Sequence, residues 1–71
     1  MRNPCKGKSS WPELVGKAGK EAERIIEKEN PWVNADIVEE GSVVGQDFRC
    51  DRVWVWVDPQ TAIVTRTPVV G

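Results

Sequence analysis

Histidine is absent from this chain of 71 residues. That removes the usual general base for a serine or cysteine nucleophile, and with it the commonest protein ligand for metals. Cysteine is scarce: only Cys5 and Cys50 occur, far from any Cys-x-x-Cys spacing, and two thiolates alone make a poor zinc site. They are either free buried thiols or partners in a disulfide. These absences argue against an enzyme and imply no cofactor. A long apolar run is also missing, since no stretch approaches the ~20 residues that cross a bilayer. The segment Met1-Arg2-Asn3-Pro4-Cys5 lacks the apolar stretch of a signal peptide, so either a leader has been removed or the protein is made without one. Charge of one sign is not in excess, with 10 basic against 11 acidic residues and a net charge of -1. There is no basic footprint for nucleic acid or for an anionic membrane surface, and neither is expected as a partner. Repeats, low-complexity tracts and linkers are lacking, which leaves one small domain over residues 1–71. A core of this size supplies only a few kcal/mol, so a covalent staple would matter.

What is present reads as one helix and a few strands. Ser10-Trp11-Pro12-Glu13 fits a Ser-x-x-Glu capping box with proline just inside it, and Gly16 and Gly19 soon interrupt, predicting a short turn. The main helix is expected from 17 or 18 to 29. Ala22, Ile25, Ile26 and Glu29 share a face by their spacing, and the first three can bury. Glu21, Glu23, Arg24, Glu27 and Lys28 form a solvated outer face. Asn30-Pro31 ends the helix because a residue before proline avoids the α region. A first strand is expected over 35–39 and a second over 52–57, where Val53, Val55 and Val57 line one face and Trp54 and Trp56 the other. Asp58-Pro59-Gln60-Thr61 is a turn, a third strand is expected over 62–65, and Pro68 suits a sheet edge. Trp11 is expected against the helix end, and Trp32 over the Asn-Pro turn. The sum is an α+β sandwich of two layers, a single helix packed on a small sheet of about three strands. Its valine face should meet Ala22, Ile25 and Ile26.

Between the first two strands lies a polar stretch, 40–51, with no pattern of its own. Loops of this length are uncommon in a compact domain and are usually functional. Within it, small or β-branched residues lead to one polar pair, Gln46-Asp47, and two arginines and a cysteine follow at fixed offsets. This order, taken with Trp11-Pro12-Glu13-Leu14-Val15-Gly16-Lys17, resembles the potato inhibitor I family of serine protease inhibitors. Within the family it is most similar to the disulfide-bearing, buckwheat-type seed members, over about 5–70.

The resemblance implies that the first two strands are parallel, that the chain blocks a protease rather than catalysing a reaction, and that 40–51 is the exposed protease-binding loop. By the same resemblance Gln46 and Asp47 flank the bond presented to the enzyme. Val43, Val44 and Gly45 extend across the cleft before it, and Phe48 and Arg49 lie beyond. Arg52 would brace the loop from below, its five donors able to hold Asp47 and a loop carbonyl together. Arg49 either helps or is solvated. Many members carry threonine and a second arginine, paired through the loop, where this chain has Gly45 and Trp54. One brace is therefore gone, Gly45 adds backbone freedom worth roughly 0.5–1 kcal/mol, and Trp54 is expected to pack beneath the loop instead. The resemblance also implies a disulfide between Cys5 and Cys50, worth roughly 4 kcal/mol in the chain-entropy model. A monomer is expected, located in a seed storage compartment or secreted, as the family resemblance suggests.

Gln46 points to the kind of enzyme. A trypsin pocket wants a cation; an apolar slot would bury the amide with few partners, at roughly 1–3 kcal/mol. A broad, solvated pocket of the subtilisin type tolerates it best, so a subtilisin-like serine endopeptidase is the expected partner. Two other readings stand beside this one. In one, the loop of such a fold is simply cut without inhibiting; in the other, Trp54, Trp56 and Arg52 form a stacking platform for single-stranded nucleic acid, against which the same tryptophans are a small core on the sheet's second face.

Overall fold

A computed structural model describes residues 5–45 and 47–71; Met1 to Pro4 and Gln46 lie outside the described residues. One helix, α1 (Gly19–Glu29), lies against a sheet of three strands, β1 (Asn34–Glu39), β2 (Arg52–Val57) and β3 (Val69–Val70). The order is β1-β2-β3, with β1 parallel and β3 antiparallel to the central strand. The sheet is therefore mixed, and the fold is the α+β sandwich expected.

The sequence explains most of this directly. Ala22 and Ile26 are fully buried on α1, Ile25 is partly so, and they meet Val53, Val55 and Val57 from β2. Trp11, Leu14, Val33, Ala35, Val64 and Val70 complete one continuous core. Gly19, at the helix start, is buried because the chain lies close to the sheet there: a Cβ on Gly19 would come within 2.8 Å of Val57 Cγ1. The helix ends at Asn30, which is buried and hydrogen bonded three ways. Its Nδ2 donates to the Lys6 and Lys8 carbonyls, and its Oδ1 accepts from the Trp32 amide. This one side chain pins the N-terminal segment, with Cys5, against the end of the helix. Trp11 is buried at the same end and donates from Nε1 to Glu29 at 2.9 Å. Trp32 does not bury over the turn; it stays 58% exposed, with the Lys6 ammonium above its ring.

Two further expectations are corrected. No capping box forms at Ser10: a 3-10 turn (Pro12–Leu14) begins at Trp11 without a side-chain cap, and Ser10 pairs with Val69 instead. Glu13 turns outward to Lys8, at 2.7 Å. The third strand is also not at 62–65. Ala62 takes a left-handed conformation, φ 61°, which bends the chain away, leaving only single bridges from Ile63 to Ala18 and from Val64 to Val57. Apolar alternation marked 62–65 as strand-like, but the ladder resumes only after Pro68, at Val69–Val70.

Parallel strands cannot be joined by a tight hairpin and normally need a covering crossover. Here, among the described residues, the connection from Glu39 to Arg52 carries no helix or strand. It leaves one end of the sheet and returns to the other. The register, Asn34 opposite Arg52 and Glu39 opposite Val57, sets the two ends of this loop a full strand length apart.

Candidate protease-binding loop

The loop's crown is open to solvent. Val43 is 96% exposed and Phe48 61%, Gly45 and Asp47 are exposed, and only Val44 is half-buried. An apolar side chain so exposed gains nothing for the fold, and aligned with a backbone that has left the sheet it is free to meet another molecule. The expected pocket-entering residue, Gln46, is outside the described residues.

The end of the loop near β2 is held by Arg52. Its guanidinium is buried, the residue being 8% exposed. Nη2 donates to the Asp47 carbonyl at 2.5 Å and Nε to the Gly71 carbonyl at 2.9 Å, while the Gly71 amide returns a bond to the Arg52 carbonyl. The fork thus joins the loop, the sheet and the end of β3. The sequence expectation is of one arginine holding Asp47 and a loop carbonyl; here the two carbonyls held are those of Asp47 and of Gly71, at the chain's end. The bonded atom is the carbonyl of Asp47 itself, and the carboxylate stands off at 3.7 Å, mostly in solvent. Trp54 lies half-buried with the Arg52 guanidinium 4.5 Å above its ring, so it backs the arginine that reaches the loop. Stacking on an indole fixes the plane of a guanidinium and favours the cation.

Arg49 takes neither of its two expected roles cleanly. It binds Asp51 through two bonds of 2.9 and 2.8 Å, an exposed pair beside the loop's last turn. That pair holds the Asp51 carboxyl below its usual range. Next to it, the Asp51 carbonyl accepts from the Asn34 amide at the start of β1. Cys50, within the same turn, is bonded to Cys5. The disulfide ties the end of the loop to the segment that Asn30 pins on the helix.

The other end of the loop carries a second anchor, which sequence reasoning missed. Glu40 leaves β1 with its amide bonded to the Val57 carbonyl, and the chain turns at Gly41, φ 94°, with the Ser42 amide on the Glu39 carbonyl. The Glu40 carboxylate receives two parallel bonds from Arg66, both 2.8 Å, and a third from the Thr65 hydroxyl at 2.6 Å. The Arg66 guanidinium lies 4.2 Å from the centre of the Trp56 ring. Its bonds, followed by that of Thr65, hold the Glu40 carboxyl down to about 2. The sequence offered a weak signal: an acid just before a glycine turn, and an arginine two residues before Pro68. Only the register links them, since the Thr65 amide bonds Trp56 and the Glu40 amide bonds Val57, on neighbouring rungs of β2.

Both tryptophans of β2 are thus covered by arginines already committed to the two loop ends. They do not form an open stacking platform.

Gly45 sits close to Asp47. A Cβ at this position would come within 2.8 Å of the Asp47 carboxylate, a flexible side-chain end, and its backbone is not in the left-handed region. Glycine here is therefore a matter of freedom and not of a forbidden conformation.

A small covalently stapled scaffold that projects a loop with solvent-exposed flanks, held at both ends, defines a loop-presenting domain. The chain belongs to the potato inhibitor I family, whose model matches residues 3–71. It is 57% identical over 67 residues, 94% of this chain and 97% of the other, to the Glu S. griseus protease inhibitor of Momordica charantia. It is 56% identical over 64 residues to the trypsin/subtilisin inhibitor of Amaranthus caudatus, covering 90% and 91% of the two chains. The crystal structure of bitter gourd trypsin inhibitor superposes with a TM-score of 0.91 at 54% identity, over 97% of this chain and all of that one.

Proposed function

We propose that this protein inhibits serine proteases by offering the loop 41–49 as a substrate, with Gln46-Asp47 flanking the presented bond, and that it does not itself catalyse a reaction. One observation carries this. On either side of the presented bond Val43, Gly45, Asp47 and Phe48 are exposed, yet the far side is fixed by a buried arginine to the sheet and to Gly71. A loop held in the shape of a bound substrate loses little ordering entropy on docking. It binds through main-chain bonds and side chains in pockets, as an added strand does. After attack, the leaving side stays near the acyl-enzyme, and religation competes with release.

In this reading Val43, Val44 and Gly45 run along the cleft, Gln46 enters the specificity pocket, and Phe48 and Arg49 face the far side. Arg52, backed by Trp54, is the brace, and the bond between Cys5 and Cys50 keeps the brace in place. Glutamine supplies no cation for a trypsin pocket, so a subtilisin-like or other broad-pocket serine endopeptidase is the partner. Inhibition assays on subtilisin and trypsin with the natural chain and with Gln46→Arg test the assignment. The natural chain should prefer subtilisin, and the variant should gain at least about 100-fold on trypsin, the scale of supplying a missing buried partner. An unchanged trypsin constant in Gln46→Arg would remove Gln46 from the pocket.

A further inference from the structure

We infer that Glu40, Thr65 and Arg66 form a clamp that crosses the cleavage point and holds the acyl-side arm of the loop in place for religation. The inference rests on the reading above. A cut after Gln46 divides the chain into 1–46 and 47–71. Asp47, Arg52 and Gly71 all fall in the second piece, so the bonds of Arg52 hold only the leaving side. The pieces stay joined as bodies by Cys5–Cys50 and by the parallel pairing of β1 with β2. Neither feature orients the arm from Gly41 onward, because the ladder register ends at Glu39 opposite Val57.

Glu40 belongs to the first piece; Thr65 and Arg66 belong to the second. Their three bonds to its carboxylate therefore bridge the two pieces at the root of the acyl-side arm. The fork geometry fixes direction as well as distance. The indole of Trp56 backs the guanidinium and limits the planes it can adopt. The arrangement mirrors Arg52 on Trp54 at the other end. It matters more in this chain because Gly45 and Trp54 offer no side-chain brace between the loop's acyl side and the sheet. Glu40 stays ionised at neutral pH, so the clamp is closed under those conditions.

The three residues are positioning residues, and the test separates position from stability. Natural chain, Glu40→Gln, Arg66→Gln and Arg66→Lys are each brought to equilibrium with catalytic subtilisin, and the ratio of cut to intact chain is read by mass. Glu13→Gln, which breaks a comparable exposed pair with Lys8 remote from the loop, is the control. The two glutamine variants should raise the cut-to-intact ratio about fivefold, the scale of one well-formed exposed ion pair. Arg66→Lys should fall between, because it keeps the charge and loses the fork. Amide NMR order parameters of Val43 and Val44, measured without protease, should drop in the same variants, with melting temperatures close to that of the control. A ratio unchanged in both glutamine variants, or raised equally by Glu13→Gln, would overturn the clamp. If the natural chain fails to inhibit subtilisin, the functional reading is what fails; the order parameters still decide the clamp, and unchanged values in Glu40→Gln would overturn it.

Discussion

Two arginine–tryptophan pairs flank the same loop, and they solve the same problem in different solvents. Arg52 over Trp54 is shut away, with 10% of its side chain exposed, and spends its donors on two backbone carbonyls. Arg66 over Trp56 is more than half exposed, at 55%, and meets a carboxylate through two parallel bonds. A buried guanidinium hydrogen bonded to two carbonyls, with the Asp47 carboxylate only standing by at 3.7 Å, is little screened by salt and leaves unmet groups behind when removed. An exposed ion pair is screened, adjustable and worth less in itself, so its value lies in direction. The leaving-side end of the loop is thus built for strength, and the acyl-side end for alignment.

The comparison can be broken at its strong end first. Replacing both cysteines, Cys5→Ser with Cys50→Ser, should cost about 4 kcal/mol of unfolding free energy, the chain-entropy estimate for closing a loop with a sequence separation of 45. Denaturant titration reads this, and a loss under 1 kcal/mol would mean that Asn30 and the sheet already hold the segment. Arg52→Ala comes next. It should cost about 2 kcal/mol, the scale of hydrogen bonds from a charged donor, and should turn the loop into a fast substrate. Arg52→Lys should recover only part of the inhibition, since an ammonium lacks the fork.

The weak end is reached by pH. The folded Glu40 carboxyl titrates near 2 against an ordinary value of 4.5. A lowered folded value means the contribution is fully present above about 4.5 and lost as pH falls from there through about 2. Cleaved-to-intact ratios with an acid-tolerant protease, or loop order parameters, should therefore shift between pH 5 and pH 2 in the natural chain and stay flatter in Glu40→Gln. Comparison with that variant is needed because Glu13 and Asp51 are also lowered by their cationic partners. The smallest effect is expected from Gly45→Thr. Reduced backbone freedom is worth roughly 0.5–1 kcal/mol, so cleavage should slow by a few-fold, provided the Asp47 carboxylate swings away from the new Cβ. Faster cleavage would show that Asp47 cannot move without loosening its carbonyl from Arg52.

Much of the fold was legible because its signals are local. The run from Arg52 to Val57 alternates strictly, and the helix repeats Ala22, Ile25 and Ile26 on one face before a proline stop; both elements fall where their patterns put them. The third strand was misplaced because apolar content at 62–65 says nothing of the left-handed turn at Ala62, and Val69–Val70 is too short for a pattern. The loop and Arg52 came from resemblance, and the structure adds which atoms Arg52 holds. Glu40 and Arg66 were out of reach for a different reason. Their pairing has a separation of 26 residues and exists only through the register of a parallel sheet and a single bridge at Val64. Asn30 was read as a helix stop; that its amide also secures the N-terminal segment depends on where that segment returns.

The account stands most directly on one experiment: incubation with subtilisin at near-equal concentrations, following residual protease activity and the mass of the inhibitor over hours. Lasting inhibition with the mass mainly intact, or one slow cut between Gln46 and Asp47, is the predicted result. Rapid cleavage at that bond with activity returning, or cuts elsewhere with no inhibition, would contradict a loop braced at both ends for religation.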